Sequence, residues 1–420
     1  MYKVTRLKNG LTVATAEMPH MTSVSVGIWV AVGGRYEPAS LSGVSHFIEH
    51  LLFKGTRRRS PREISQAVEG IGGYLNAFTS EEQTCFYAKA RHDHFGQVLD
   101  VLADMFLHST FDPVEIDKER EVIKEELAMY MDQPQQYVQE LLNATMWPDQ
   151  PLGRSITGTE KTLDAIGRHQ LLDFQKANYV APATLVAVAG RVTHGQAVKA
   201  VGRYAAKFAH GRRSCCAPAT SAQSRPVIRL HTRKTEQTQI ALGIRACSRH
   251  DERRFALRLL NAVLGENMSS RLFQTVREEH GLAYSIYSGN SFFDDAGDIV
   301  ISAGLDPDNL QKALKLIVRE MKRLASAPVP GAELRRARDY LIGQLDLSLE
   351  NSENQMMWAG EQWLGYGKIF HPSEVKKRLG EVNSAAIRAA ARQLFRPDRF
   401  TLALVSPLKS TLGLEKILSA

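Results

Sequence analysis

The chain has 420 residues, 44% hydrophobic and 23% charged, with 53 Lys and Arg against 45 Asp and Glu and a formal charge of +8. That length exceeds one ordinary core and points to two globular domains of about 200 residues each, while the composition excludes a disordered or fibrous chain. No apolar run approaches the roughly 20 residues that span a bilayer, and the clusters Arg57-Arg58-Arg59 and Arg212-Arg213 lack the interleaved aromatics of a base-stacking groove, so neither a membrane nor a nucleic-acid partner is expected.

The N-terminal stretch from Tyr2 to Ala14 alternates apolar and polar residues around Asn9-Gly10, the pattern of a β-hairpin rather than of a secretory peptide. A cytoplasmic location is the expectation. Ser23 to Val32 reads as a buried strand. The next segment, Ser42-Gly43-Val44-Ser45-His46-Phe47-Ile48-Glu49-His50-Leu51-Leu52-Phe53, places Val44, Phe47, Ile48, Leu51 and Leu52 at helical spacing, so one stripe of a helix is buried. His46 and His50 lie four residues apart and share a face, with Glu49 beside them. A catalytic zinc site keeps three protein ligands and leaves a fourth position for a water. Two imidazoles one turn apart supply two of the three, and the carboxylate between them is placed to take a proton as general base. The order H-x-x-E-H is that of the inverzincins.

A second helix is expected from Ser60-Pro61 to Val68, then the glycine-led segment from Gly72 through Asn76 and Ala77 to Ser80, a strand from Thr84 to Ala90, and a helix from about Phe95 to Leu107. Asp112-Pro113 opens a helix running to about Met131. On it Glu119 and Glu126 are seven residues apart and share a face, so that one could ligate a metal while the other orients a ligand. Leu185 to Gly190 reads as a strand. Residues 210–226 are small, polar and proline-punctuated, which is linker chemistry. Of the four cysteines, Cys215 and Cys216 are adjacent while Cys85 and Cys247 stand apart. No C-x-x-C pair offers zinc spacing, and reduced thiols are the simple reading.

The second half repeats the order of the first: Gln239 to Ile244 answers the Val24 to Val30 strand, and a helix from Glu252 to Leu264 takes the place of the histidine helix without any histidine. The expected fold class is therefore α+β, with two similar duplicated domains, each a mostly antiparallel sheet with helices packed on one face. The expected division is a metal-binding domain over 1–209, a linker over 210–226 and a second copy over 227–420.

These residues resemble the pitrilysin-type zinc metallopeptidases, particularly the two-domain bacterial branch related to the mitochondrial processing peptidase, over nearly the whole chain. In that family the third zinc ligand is a glutamate 76 positions after the second histidine, which here is Glu126. The resemblance implies one Zn2+ per chain held by His46, His50 and Glu126, with Glu49 as catalytic base and Glu119 holding a ligand in place. It also implies that the Asn76-Ala77 strand lies at a sheet edge and pairs with an extended substrate. Arg271 to Tyr287 is similar to the family's second signature, whose arginine and tyrosine, seven apart, are here Arg277 and Tyr284. They are implied to bind the substrate and the developing oxyanion. The resemblance further implies an endopeptidase for unfolded peptides in an enclosed chamber formed by a homodimer, each site completed in trans. The alternative is a non-catalytic assembly subunit of the same fold, like the core proteins of respiratory complexes.

Overall fold

A computed structural model describes residues 2–419. In the first half of the sequence come β1 (Tyr2–Arg6), β2 (Thr12–Glu17), β3 (Ser23–Val30), α1 (Val44–Leu52), α2 (Pro61–Glu69), β4 (Tyr74–Thr79) and β5 (Thr84–Arg91). There follow α3 (Phe95–His108), α4 (Pro113–Asp132), α5 (Pro134–Met146), α6 (Glu160–Ala165), α7 (Arg168–Asn178), β6 (Thr184–Gly190) and α8 (His194–Ala205). The second half repeats the series: β7 (Val227–Thr232), β8 (Thr238–Ala246), α9 (Arg254–Leu264), a π-helical turn over Phe273–Glu279, β9 (Ala283–Phe292) and β10 (Gly297–Leu305). It closes with α10 (Leu310–Ser326), α11 (Gly331–Ser348), α12 (Ser352–Tyr366), α13 (Pro372–Glu381), α14 (Ser384–Leu394), β11 (Phe400–Ser406) and α15 (Leu414–Ser419). No helix among the described residues is long and apolar enough to cross a membrane.

The expected α+β class and duplication are both present. One sheet has the order β1-β2-β6-β3-β5-β4 and the other β7-β11-β8-β10-β9. In each, a single parallel pair (β2 with β6, β7 with β11) sits among antiparallel ones. In the first sheet, alternate residues of β3, Val24, Val26, Ile28 and Val30, meet Phe47, Ile48, Leu51 and Leu52 of α1 and Leu102 and Phe106 of α3 in one core. This is the helical layer that the periodicity predicts.

The opposite face of that sheet is covered too, by a helix from far along the chain. The intervening residues Trp29, Ala14, Ala16, Ala187 and Ala189 form a second cluster with Met356 and Ala359 of α12. Small residues make room for this contact: a Cβ on Gly27 would lie 2.4 Å from Met356 Sδ, and one on Gly360 would lie 2.1 Å from the Trp29 ring. In the second sheet, Ala241, Ala403 and Val405 pack against Val138 and Leu142 of α5. The compact units are therefore interrupted. One comprises Met1–Leu127, Arg154–Ala217 and Leu347–His371, the other Ala128–Gly153, Pro218–Asp346 and Pro372–Ala420. The break between Ala217 and Pro218 falls inside the expected linker, but α5 and α12 do not follow the linear division over 1–209 and 227–420. Alanine and glycine on a sheet face carry no periodic signal, and this is why the exchange escapes a reading of hydrophobic pattern.

Candidate metal centre

Helix α1 is started by its own N-terminus and by a distant loop. Gly43, at the N-cap, has φ +96°, and a Cβ there would sit 2.7 Å from the carbonyl oxygen of Thr157. Only glycine combines that backbone with so close an approach. The first turn is capped by a buried carboxylate: Glu37 Oε2 accepts from the N–H of Gly43 at 2.8 Å and Oε1 from that of Ser45 at 2.7 Å. Burial pushes the Glu37 carboxyl up to about 7, against the opposing pull of those amides and of Arg154. With Val44, Phe47, Ile48, Leu51 and Leu52 committed to the core, His46, Glu49 and His50 are left on the other face.

Helix α4 brings its glutamates to that face. The ligand atoms of His46, His50 and Glu126 all lie within 4.8 Å of one another, and Nε2 of each histidine is 3.7 Å from Glu126 Oε2. His50 Nδ1 lies 3.0 Å from Glu119 Oε2, and the other oxygen of Glu119 is 2.7 Å from Lys54 Nζ. Burial opposes the Glu119 charge, but the hydrogen bonds to His50 and Lys54 outweigh it and hold the carboxyl below its ordinary value. An anionic Glu119 accepts the Nδ1–H of His50 and leaves Nε2 facing Glu126. Burial first, and the neighbouring His50 second, push His46 down to about 4 despite the charge of Glu126. Its imidazole is therefore neutral at pH 7. Two imidazoles and a carboxylate converging on one point are the donor set of a catalytic zinc site, and the residues fit the ion that the motif implies.

Glu49 stands beside this cluster. Its carboxyl is raised above the ordinary range by burial, with Glu126 adding to the effect and Thr79 and His50 opposing it. Glu49 Oε2 accepts from Thr79 Oγ1 at 2.5 Å. Thr79 ends β4, which is the outermost strand and pairs only with β5 among the described strands. Asn76 and Ala77 lie mid-strand, and the Ala77 N–H donates to Asn76 Oδ1 at 2.8 Å. The five expected residues of the metal motif, together with Asn76 and Ala77, thus fall on α1, α4 and β4. Arg277 and Tyr284 belong to the other unit, where the guanidinium lies 4.7 Å from the Phe273 ring centre and 6.0 Å from that of Tyr284, itself 78% exposed. The sequence reading missed three contributors. Lys54 follows His50 by one helical turn and Thr79 shares the alternation of Ala77, so both carried a positional signal; Glu37 carried none.

Residues 12–160 match the family described as insulinase (peptidase family M16), and residues 165–341 match the peptidase M16 inactive domain. The chain belongs to peptidase family M16. It is 38% identical over 416 residues to the uncharacterized zinc protease YmxG of Bacillus subtilis, covering 97% of this chain and 98% of that one. Identity to an uncharacterized zinc protease of Mycobacterium leprae is 36% over 411 residues, with 97% and 92% covered. The M16 fold recurs in a protease from Helicobacter pylori at a TM-score of 0.91 and 21% identity, covering 97% of this chain and 100% of that one. A protein from Pseudomonas fluorescens described as a peptidase M16 inactive domain gives 0.90 at 18% identity, with 97% and 99% covered.

Proposed function

We propose that this M16 chain is a zinc-dependent endopeptidase that hydrolyses internal bonds of unfolded peptides. The reading is carried by one observation, the convergence of His46, His50 and Glu126 within 4.8 Å, from residues as far apart in sequence as 46 and 126. Zinc held by these three side chains would acidify a water and polarise the scissile carbonyl. Glu119 keeps His50 in the ligating tautomer. Glu49 accepts the proton of the attacking water on its carboxylate and passes it to the departing amine, a task suited to a carboxyl whose affinity for protons burial has raised. The open side of β4 receives the substrate as an added strand around Asn76 and Ala77, so that main-chain hydrogen bonds hold any extended peptide. Arg277 and Tyr284 supply donors for the substrate and the oxyanion. Each site takes them from a second copy of the chain, in a homodimer enclosing a chamber in the cytoplasm. The names of the relatives support zinc and proteolysis.

The deciding experiment is Glu49→Gln, assayed on a quenched unfolded peptide before and after a chelator. The expected result is a loss of kcat of about 10³-fold or more, with the zinc content unchanged. Wild-type turnover by Glu49→Gln, or by chelated protein, overturns the reading.

A further inference from the structure

Every group proposed so far comes from the two signatures or their neighbours in the metal cluster, yet the hydrogen bond to the general base comes from a residue outside both. Glu49 Oε2 accepts from Thr79 Oγ1 at 2.5 Å. A glutamate carboxylate has a soft terminal torsion, so a helical backbone alone does not decide which oxygen faces the reacting water. A short hydrogen bond to a charged acceptor does. We propose that Thr79 is a positioning residue that aims the Glu49 carboxylate and ties it to the strand that receives the peptide, an inference that rests on the peptidase reading above.

Three features make the hydroxyl a fixed anchor. Threonine is β-branched and stiff at χ1, so the strand sets where Oγ1 stands. The neighbouring Thr84 hydroxyl is 3.5 Å away and gives its own hydrogen to Val32 O at 2.9 Å, which leaves Thr79 to donate to Glu49. The turn after Thr79 is pinned on several sides: Ser80 N–H donates to Gln83 O at 2.8 Å, Gly34 N–H to Ser80 O at 3.0 Å, and Arg35 N–H to Glu81 O at 2.8 Å. By the alternation of a strand, Thr79 and Ala77 share one face of β4, and β4 is the open edge. A peptide adding to that edge stiffens the strand that carries the anchor, so occupancy of the binding strand steadies the base.

The test uses full-length zinc-loaded protein carrying Thr79→Val, which keeps the shape and removes the donor, and Thr79→Ser, which keeps the donor. Thr79→Val is expected to lower kcat roughly 10-fold to 100-fold, the scale of a misaimed catalytic group, with KM and the zinc dissociation constant measured against a competing chelator both unchanged. Thr79→Ser restores most of kcat. In crystals of the metal-loaded Thr79→Val protein the Glu49 carboxylate spreads over more than one rotamer. An unchanged kcat, a KM that rises or a zinc affinity that falls together with the loss of kcat, or a Glu49 that keeps its wild-type orientation without the hydroxyl each overturns the role of Thr79. If the wild-type protein cleaves no peptide at all, the peptidase reading fails instead, and the orientation of Glu49 in the two crystals alone decides whether Thr79 holds it.

Discussion

Helices α1 and α9 occupy the same step of the duplicated series, each following the central strand of its sheet, and they differ in what they leave uncommitted. In α9 every residue but Arg258 is buried, Phe255, Leu257, Leu259, Leu260 and Val263 among them. In α1 six of nine positions are buried, and the remaining three are His46, Glu49 and His50. The scaffold is shared and the cluster of ligating side chains is added to one copy, which is how sites are grafted on folds in general. The edge strands differ in the same way. β4 carries Thr79 against Glu49, whereas β9 presents the exposed rings of Tyr284 and Tyr287.

If the two units divide labour in this manner, damage to each is complementary, and the largest expected effect tests that directly. Glu49→Gln and Arg277→Ala are each expected to be inactive. Mixed as unfolded chains and refolded together, they should recover roughly a quarter of wild-type activity, because half of the dimers are mixed and one site in each is intact. No recovery on mixing, with either variant dimeric by light scattering, sinks the trans arrangement.

Smaller effects should follow from the groups around His46, His50 and Glu126. Glu119→Gln removes the charge that fixes His50 and should weaken zinc binding about 10-fold to 100-fold. Lys54→Met, one contact further out, should weaken it less, and Lys54→Arg should restore it. Competition with a chromophoric chelator measures all three, and equal effects for Glu119→Gln and Lys54→Met would mean that Lys54 acts on the ion by some other route.

The metal helix and its glutamates were legible in the sequence because ligand chemistry imposes spacing: His46, Glu49 and His50 sit within two turns, and Glu119 and Glu126 share a face of α4. The strands and the repeat were legible because burial imposes periodicity. What escaped has a common physical origin. α5 and α12 dock on faces rich in alanine with Gly243 and Gly27 at the points of nearest contact, where close approach rather than apolar size selects the residue. Glu37 reaches its helix from a turn outside it, and no periodicity connects the two.

The last expected effect is on stability and not on activity, and concerns the starts of the two helices, which respond to pH with opposite sign. Glu37, buried under the first turn of α1, is pushed up to about 7 from an ordinary 4.5. Between those values the unfolded chain has released a proton that the folded chain retains, so folding stability falls as pH rises through the window, by a few kcal/mol at most. Asp251, before α9, is held below its ordinary value by the side-chain hydrogen bond from Arg253, against the effect of burial. Its contribution is present above the ordinary value of 3.8 and is lost as pH falls through the lower folded one, and solvent exposure keeps it small. Urea melts from pH 4 to 8 should therefore show a decline that Glu37→Gln removes, although that variant is less stable overall for losing a two-amide acceptor. Asp251→Asn should leave the slope over the same range unchanged. A decline that persists in Glu37→Gln would place the titrating group elsewhere in the chain.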